Sequence, residues 1–274
     1  MNKQKQKMVI CLLLCAVIIL TGCASSSQKN GASAPKGNIS SSEKVKSGDA
    51  NSSRLPLELK DSAHNLYLGK IGEGKVLIDI YVNENKINLA RVNQDDAETL
   101  FSGTLSDDST ITAKSADGKQ SLELFSNELG IVSGTLESEG KKQNVMLKPD
   151  STFFSQSFDM RYPNVGSNKA VESFVAKLKT AVSAGDIAGF ASMVHYPISF
   201  SYQNKRLEVG SKEEFLKKVP SIPSSFKSAI KDSFGKFMFN NYQGVLFGSG
   251  THNVWINAVD KKGQKVIEIT GINF

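Results

Sequence analysis

Histidine and cysteine are both scarce, with three of each in 274 residues. His64, His195 and His252 stand far apart, with no HExxH and no histidine pair at i and i+4, so the sequence promises no metal site. Cys11 and Cys15 fall inside one apolar stretch, which leaves Cys23 as the only cysteine beyond it. No disulfide and no thiolate cluster can then be built in the remainder of the chain. A strong excess of one charge is also missing. Lys and Arg number 33 against 27 acids, and half of the formal +6 comes from Lys3, Lys5 and Lys7 at the very start. So small a surplus suits attraction to anionic lipid or wall polymer and does not argue for a nucleic-acid partner. Serines abound, but none sits in a Gly-x-Ser-x-Gly elbow. The glycine-rich run Gly244-Val245-Leu246-Phe247-Gly248-Ser249-Gly250 leads into Val254-Trp255-Ile256 rather than opening a helix. It therefore reads as bends in a coiled sheet, not as a phosphate cradle. No cofactor is implied.

What is present begins with the basic start and an unbroken apolar run over residues 8–20. Thirteen residues reach only about 20 Å as a helix, short of the ~30 Å hydrocarbon core, so a cleavable signal fits better than a membrane span. Leu20-Thr21-Gly22-Cys23 follows directly, and the order resembles the lipobox of bacterial lipoproteins. The resemblance implies removal of residues 1–22 and a lipid on Cys23, giving an extracytoplasmic protein anchored to the cell membrane. Two acyl chains at roughly 0.8 kcal/mol per buried methylene would hold durably. An ordinary secretory signal with an incidental Cys23 is the alternative.

Residues 24–54 are dominated by Ser, Asn, Gly, Ala and Lys and carry too little apolar surface to offset the entropy of ordering. They are expected to be a flexible tether, about 30 residues holding a folded body roughly 30 Å from the bilayer. Residues 55–150 then read as strand after strand. Alternation appears in Lys75-Val76-Leu77-Ile78-Asp79-Ile80-Tyr81-Val82, in Lys86-Ile87-Asn88-Leu89-Ala90-Arg91-Val92 and in Gln120-Ser121-Leu122-Glu123-Leu124-Phe125. Turn signals such as Gly72-Glu73-Gly74, Asp117-Gly118 and Glu139-Gly140 separate them. About eight antiparallel strands in a β-meander, curved into a half-barrel or small barrel, are predicted. Phe101-Ser102-Gly103-Thr104-Leu105 and Val132-Ser133-Gly134-Thr135-Leu136 look alike, as two strands bent at a glycine would. With Tyr67-Leu68-Gly69-Lys70-Ile71, the segment resembles small β-meander domains that precede α+β domains in bacterial envelope proteins. That resemblance brings no catalytic residue.

After a linker over 151–167 the period turns helical. Val171, Phe174, Val175, Leu178 and Val182 share one face, Gly185 fits a C-cap, and Asp186 caps a short second helix. Ser211-Lys212-Glu213-Glu214 starts a third helix, and a fourth is expected over 224–234. Strands over 237–239, 244–250, 253–259 and 265–272 close the chain, the last two joined through Asp260-Lys261-Lys262-Gly263. This order over 168–274, with Ala170-Val171-Glu172-Ser173-Phe174, the Gly185-Asp186 break and Tyr196-Pro197-Ile198, resembles the cone-shaped NTF2-like α+β fold. The fold class expected is therefore α+β, a meander or half-barrel followed by an NTF2-like domain. The resemblance implies a curved sheet around a pocket, in a family that holds isomerases, cyclases and dehydratases beside many domains without catalysis.

Within such a pocket, His195, Asp186 and Tyr242 are the weak candidates for an acid or base. A histidine at a helix end is more often structural, and Asp186 fits an N-cap better than a base. Tyr196, Tyr202, Tyr242 and Trp255, with Phe200, Phe237, Phe239 and Phe247, are expected to line the cone or fill its core. Two functions follow. The favoured one is a non-enzymatic binding or assembly module of the cell envelope, taking a small apolar ligand, a peptide or an envelope protein. The alternative is a pocket enzyme of the isomerase, cyclase or dehydratase kind. They divide on whether a titratable group points into an open apolar cavity.

Overall fold

The structure, a computed structural model, describes residue 55 and residues 57–84, 86–127 and 130–274. The expected leader, Cys23 and the tether over 24–54 lie outside the described residues. Among the described residues no helix is long and apolar enough to cross a membrane.

Eight strands run up and down: β1 (Ala63–Ile71), β2 (Gly74–Asn83), β3 (Lys86–Asn93), β4 (Glu98–Leu105), β5 (Ile111–Ser115), β6 (Gln120–Ser126), β7 (Val132–Ser138) and β8 (Lys141–Phe154). Each pairs with the next in antiparallel register, and the sheet does not stop at a half-barrel. It closes, because β8 is 14 residues long and serves two neighbours. Its first half pairs with β7, from Ser138↔Lys141 to Val132↔Leu147, and Val145 onward pairs with β1, from Ile71↔Val145 to Ala63↔Phe154. A bulge at Asp150 between these partners turns the strand round the barrel. Ile78, Ile80, Leu89, Leu122 and Leu124 fill the inside, each worth about 1.5–3 kcal/mol on burial.

The alternation in β2 predicts one wet face, yet residues 76–82 are buried without a break. Leu77, Asp79 and Tyr81 point out of the barrel but are covered, since Leu66, Leu77, Ala90, Val92 and Phe153 form a second apolar layer with Phe234 and Phe237. The barrel and residues 155–274 thus share a seam, and the described residues form one compact unit.

The α+β half opens with α1 (Asn168–Ala184), capped by Ser167, whose Oγ accepts from the Ala170 N–H. Gly185 ends it at φ 72°, where an L side chain would be strained. Asp186 then caps α2 (Ile187–Ala191). There follow β9 (Ile198–Tyr202), β10 (Lys205–Val209), α3 (Lys212–Lys218), α4 (Ser224–Lys231), β11 (Asn240–Asn241), β12 (Gly244–Ser249), β13 (His252–Lys261) and β14 (Gln264–Asn273). The sheet runs β10-β9-β14-β13-β12-β11, antiparallel except where β9 meets β14. Val171, Val175, Leu178 and Val182 of α1 are buried in the core beneath it.

Three expectations need correcting. Strand β10 has no counterpart in the sequence reading. It is set by a tight turn at Gln203 and Asn204, both at positive φ, with no glycine to mark it. The fourth helix stops at Lys231, because Phe234 leaves the helical path to pack on the barrel. Residues 237–239 are not a strand: Phe237 adopts φ 50°, and its ring is drawn under Arg161, 3.6 Å from the guanidinium.

Candidate functional site

The pocket expected from the NTF2-like resemblance would lie inside the α+β half, whose centre is packed with rings. Phe190, Phe200, Phe215, Phe226, Phe274 and Tyr202 pack ring against ring, with centroids 4.9 Å apart for Phe226 and Phe274 and 5.4 Å for Phe200 and Phe215. Tyr202 donates its hydroxyl to the Ser221 carbonyl at 3.1 Å. Tyr196 donates to the Ala191 carbonyl at 2.8 Å, and burial, helped by Glu213, pushes its phenol up to about 12. It is a fixed donor at neutral pH, not a base.

The other named residues disperse. Asp186 accepts from the Gly189 N–H at 2.8 Å and is the cap of α2. Tyr242, expected in a pocket, instead stands 86% exposed at the two-residue turn between β11 and β12. Trp255 alternates with buried Val254 and Ile256, so it faces away from the core, and its side chain lies over Gly271. Of the four expected lining residues, Tyr196 and Tyr202 thus pack in the interior, while Tyr242 stands at a turn and Trp255 on an outer face.

His195 does have a partner. Its Nδ1 lies 3.0 Å from Glu268 Oε2, and Lys261 Nζ contacts the other carboxylate oxygen. The backbone on either side is pinned to β14, with the His195 N–H donating to the Ile269 carbonyl and the Ile269 N–H to that of Met193. A carboxylate holding one ring nitrogen orients an imidazole as in a catalytic triad. The nearby Ser192, however, donates its hydroxyl to the Gly189 carbonyl at 2.6 Å and is committed to closing α2. Glu268 borders a shallow cleft of about 410 Å³ between α1 and β14, walled by Phe174, Lys177 and Met193. His195 and Glu268 fit a structural clamp tying the end of α2 to the sheet.

The most densely connected polar groups lie at the seam, and the sequence reading missed them. His64 on β1 and Asp79 on β2 are both fully buried, with Nδ1 and Oδ2 2.8 Å apart. The imidazole stacks on Phe153 at 4.5 Å and tilts against Tyr81 at 5.0 Å. His64 Nε2 and Asp79 Oδ1 have no hydrogen-bond partner among the described residues. Burial raises the Asp79 pKa despite the hydrogen bond and charge of His64. Beside them Arg161 lies flat on Phe237 and grips two carboxylates, Glu98 at 2.6 Å and Glu172 at 2.8 Å. Lys236 holds the second oxygen of Glu98 at 2.9 Å. Asp96 takes Lys179 at 3.0 Å and the Gly235 N–H at 2.7 Å. Burial pushes Glu98 up, but hydrogen bonds from Lys236 and Arg161 outweigh it and hold its carboxyl below the ordinary range. At Glu172 burial prevails over Arg161 and leaves the carboxyl above it.

These contacts clamp the barrel to α1 and the segments before α1 and after α4, with Glu98 and Asp96 on one side and Arg161, Lys179 and Lys236 on the other. Among the described residues no three His, Cys, Asp or Glu side chains come together as metal ligands. One signal of the seam was legible: an aspartate at the centre of the apolar run of β2 needs a buried partner. No protein-family model, no curated protein and no solved structure matches this chain.

Proposed function

We propose that the protein is a lipid-anchored, extracytoplasmic lipoprotein that acts as a non-enzymatic binding or assembly module of the cell envelope. Its C-terminal half is read as an NTF2-like domain, on the sequence of a long helix, a short helix, a two-stranded hairpin, two helices and long antiparallel strands. The anchor rests on the resemblance of Leu20-Thr21-Gly22-Cys23 to a lipobox. The observation that carries the non-enzymatic reading is the ring cluster around Phe215 and Phe274, which occupies the space a substrate would need. The titratable groups that do border clefts, Glu98 and Glu172 at the seam and Glu268 beside α1, are each held in an ion pair, which supports a structural role for them.

The anchor is tested by expressing the full chain and Cys23→Ser in a bacterial host with an alkyne-tagged palmitate. The expected result is label and membrane fractionation for the wild type, with both lost in the variant. A wild-type chain that stays unlabelled and soluble overturns the anchor.

A further inference from the structure

The edge of the last sheet is incomplete beside an apolar groove. Strand β11 has two residues, and Asn240 and Asn241 face Val245 and Gly244. The last rung on that side is the Leu246 N–H donating to the Phe239 carbonyl at 2.9 Å. The chain before Phe239 then departs toward the seam, where the Phe237 ring is pinned under Arg161. Strand β12 runs on through Phe247, Gly248 and Ser249, paired with β13 alone among the described residues. That open edge is one wall of a groove of about 490 Å³, whose other apolar lining comes from Leu66, Leu68, Leu77, Phe234 and Phe239.

We propose that this groove receives an extended peptide strand of a partner protein, added beside β12 where β11 breaks off. The proposal deepens the assembly-module reading and rests on it. A strand is the occupant that fits an unpaired backbone edge, since it brings N–H and C=O groups to the rungs that β12 lacks and an apolar side chain to the groove at every second residue. Rim charge chooses among strands. Lys236 is paired with Glu98, and Lys75 donates to the Asp232 carbonyl and lies over the Phe234 ring. The carboxylates of Asp150 and Asp232, both exposed groove-lining residues, are in no ion pair among the described residues. The peptide therefore alternates apolar residues and carries a lysine or arginine at its flank.

The test pans a displayed library of random ten-residue peptides against the full-length, detergent-solubilised protein. Enriched peptides with apolar residues at every second position and a basic flank are expected. A synthetic representative should bind at least about tenfold more weakly when one rung-forming amide is N-methylated, the loss of one well-made hydrogen bond. The same loss is expected for Leu246→Lys, and for Asp232→Lys at the exposed rim, a substitution that keeps the test valid if Leu246→Lys does not fold. Peptides without alternation, or indifferent to N-methylation or to both substitutions, overturn the proposal. So does binding that appears only after residues 24–54 are deleted, which makes this chain the occupant, or self-association abolished by Leu246→Lys, which makes it a second copy. Membrane fractionation of the two variants reads the anchor separately, so loss of peptide binding and failure of the lipoprotein reading are distinguishable.

Discussion

The barrel and the α+β half both close an interior against water, and they do it with different side chains. The barrel is filled by aliphatic residues, Ile78, Ile80, Leu89, Leu122 and Leu124 among them, and its strands coil so tightly that backbones touch. A Cβ at Gly103 would overlap the Thr112 carbonyl oxygen, and one at Gly134 would overlap that of Glu123. The α+β half adds a ring cluster to its aliphatic residues, with Phe190 touching Phe215, Phe226 and Phe274, and Phe226 touching Phe274. One interior is therefore limited by the approach of main chains and the other by the shape of phenylalanines. The polar groups that cross between the halves lie at the seam, and the unpaired backbone of the sheet lies at the open edge of β12.

The harshest way to break the comparison is at the barrel's glycines. Gly134→Ala sets a methyl against backbone that cannot yield locally, and a loss of about 5 kcal/mol, at the extreme of single substitutions, is expected in urea denaturation of the full chain. Gly74→Ala is the control, since its nearest neighbour would be the Ile71 carbonyl oxygen at 3.5 Å, an ordinary contact. Equal losses at the two sites would show that close approach of the backbone at Gly134 does not set the cost.

In the other half the limiting group is a ring. Phe215 is fully buried against Phe190, Phe200 and Tyr196, so Phe215→Ala should cost about 3–5 kcal/mol and leave a cavity. A crystal structure of the variant under xenon should show gas in that space and none in the wild type. A collapsed site with a loss below about 1 kcal/mol would mean this core is as adaptable as an all-aliphatic one.

This division explains what was legible in the sequence. Strands β2, β3 and β6, helix α1 with its Gly185 stop, and the Asp186 cap all follow from local period and local chemistry, and so does the β13–β14 turn at Lys262 and Gly263. Closure of the barrel depends on β1 meeting β8 across most of that half, and no local pattern encodes such a pairing. The site was legible least of all. His195 gave its position but not Glu268, which is 73 residues away. Arg161 reaches Glu98 across 63 residues, and nothing near either residue announces the other. Phe237 reads as strand by composition, yet it adopts φ 50° with its ring under Arg161 and against Phe158 and His64, partners far away in the sequence.

The seam is what makes the two halves behave as one. Arg161 is nearly buried between Glu98 and Glu172, so Arg161→Ala leaves two carboxylates facing each other and should cost about 3 kcal/mol. The sharper readout is cooperativity. Calorimetry should show one transition in the wild type and two in the variant, as barrel and α+β half unfold separately. A single, merely lowered transition would place the coupling in the apolar layer of Leu66, Leu77, Phe234 and Phe237 instead.

The smallest effect is the most specific, because the two carboxylates on Arg161 respond to acid in opposite directions. Glu98 is held below its ordinary 4.5, so the unfolded chain binds its proton first; the stability it contributes is full above pH 4.5 and is lost as pH falls through the folded value. Glu172 is raised above 4.5, so the folded chain binds its proton first; its contribution is full below pH 4.5 and is lost as pH rises through the folded value. In the wild type the two slopes oppose each other. Glu98→Gln removes the acid-sensitive one, so its urea midpoints should run parallel to wild type from pH 7 to 4.5 and fall less steeply than wild type below pH 4.5. Glu172→Gln removes the other, and the acid loss should steepen. Parallel pH curves for the two variants would mean that Arg161 treats its partners alike and that the burial of Glu172 does not separate them.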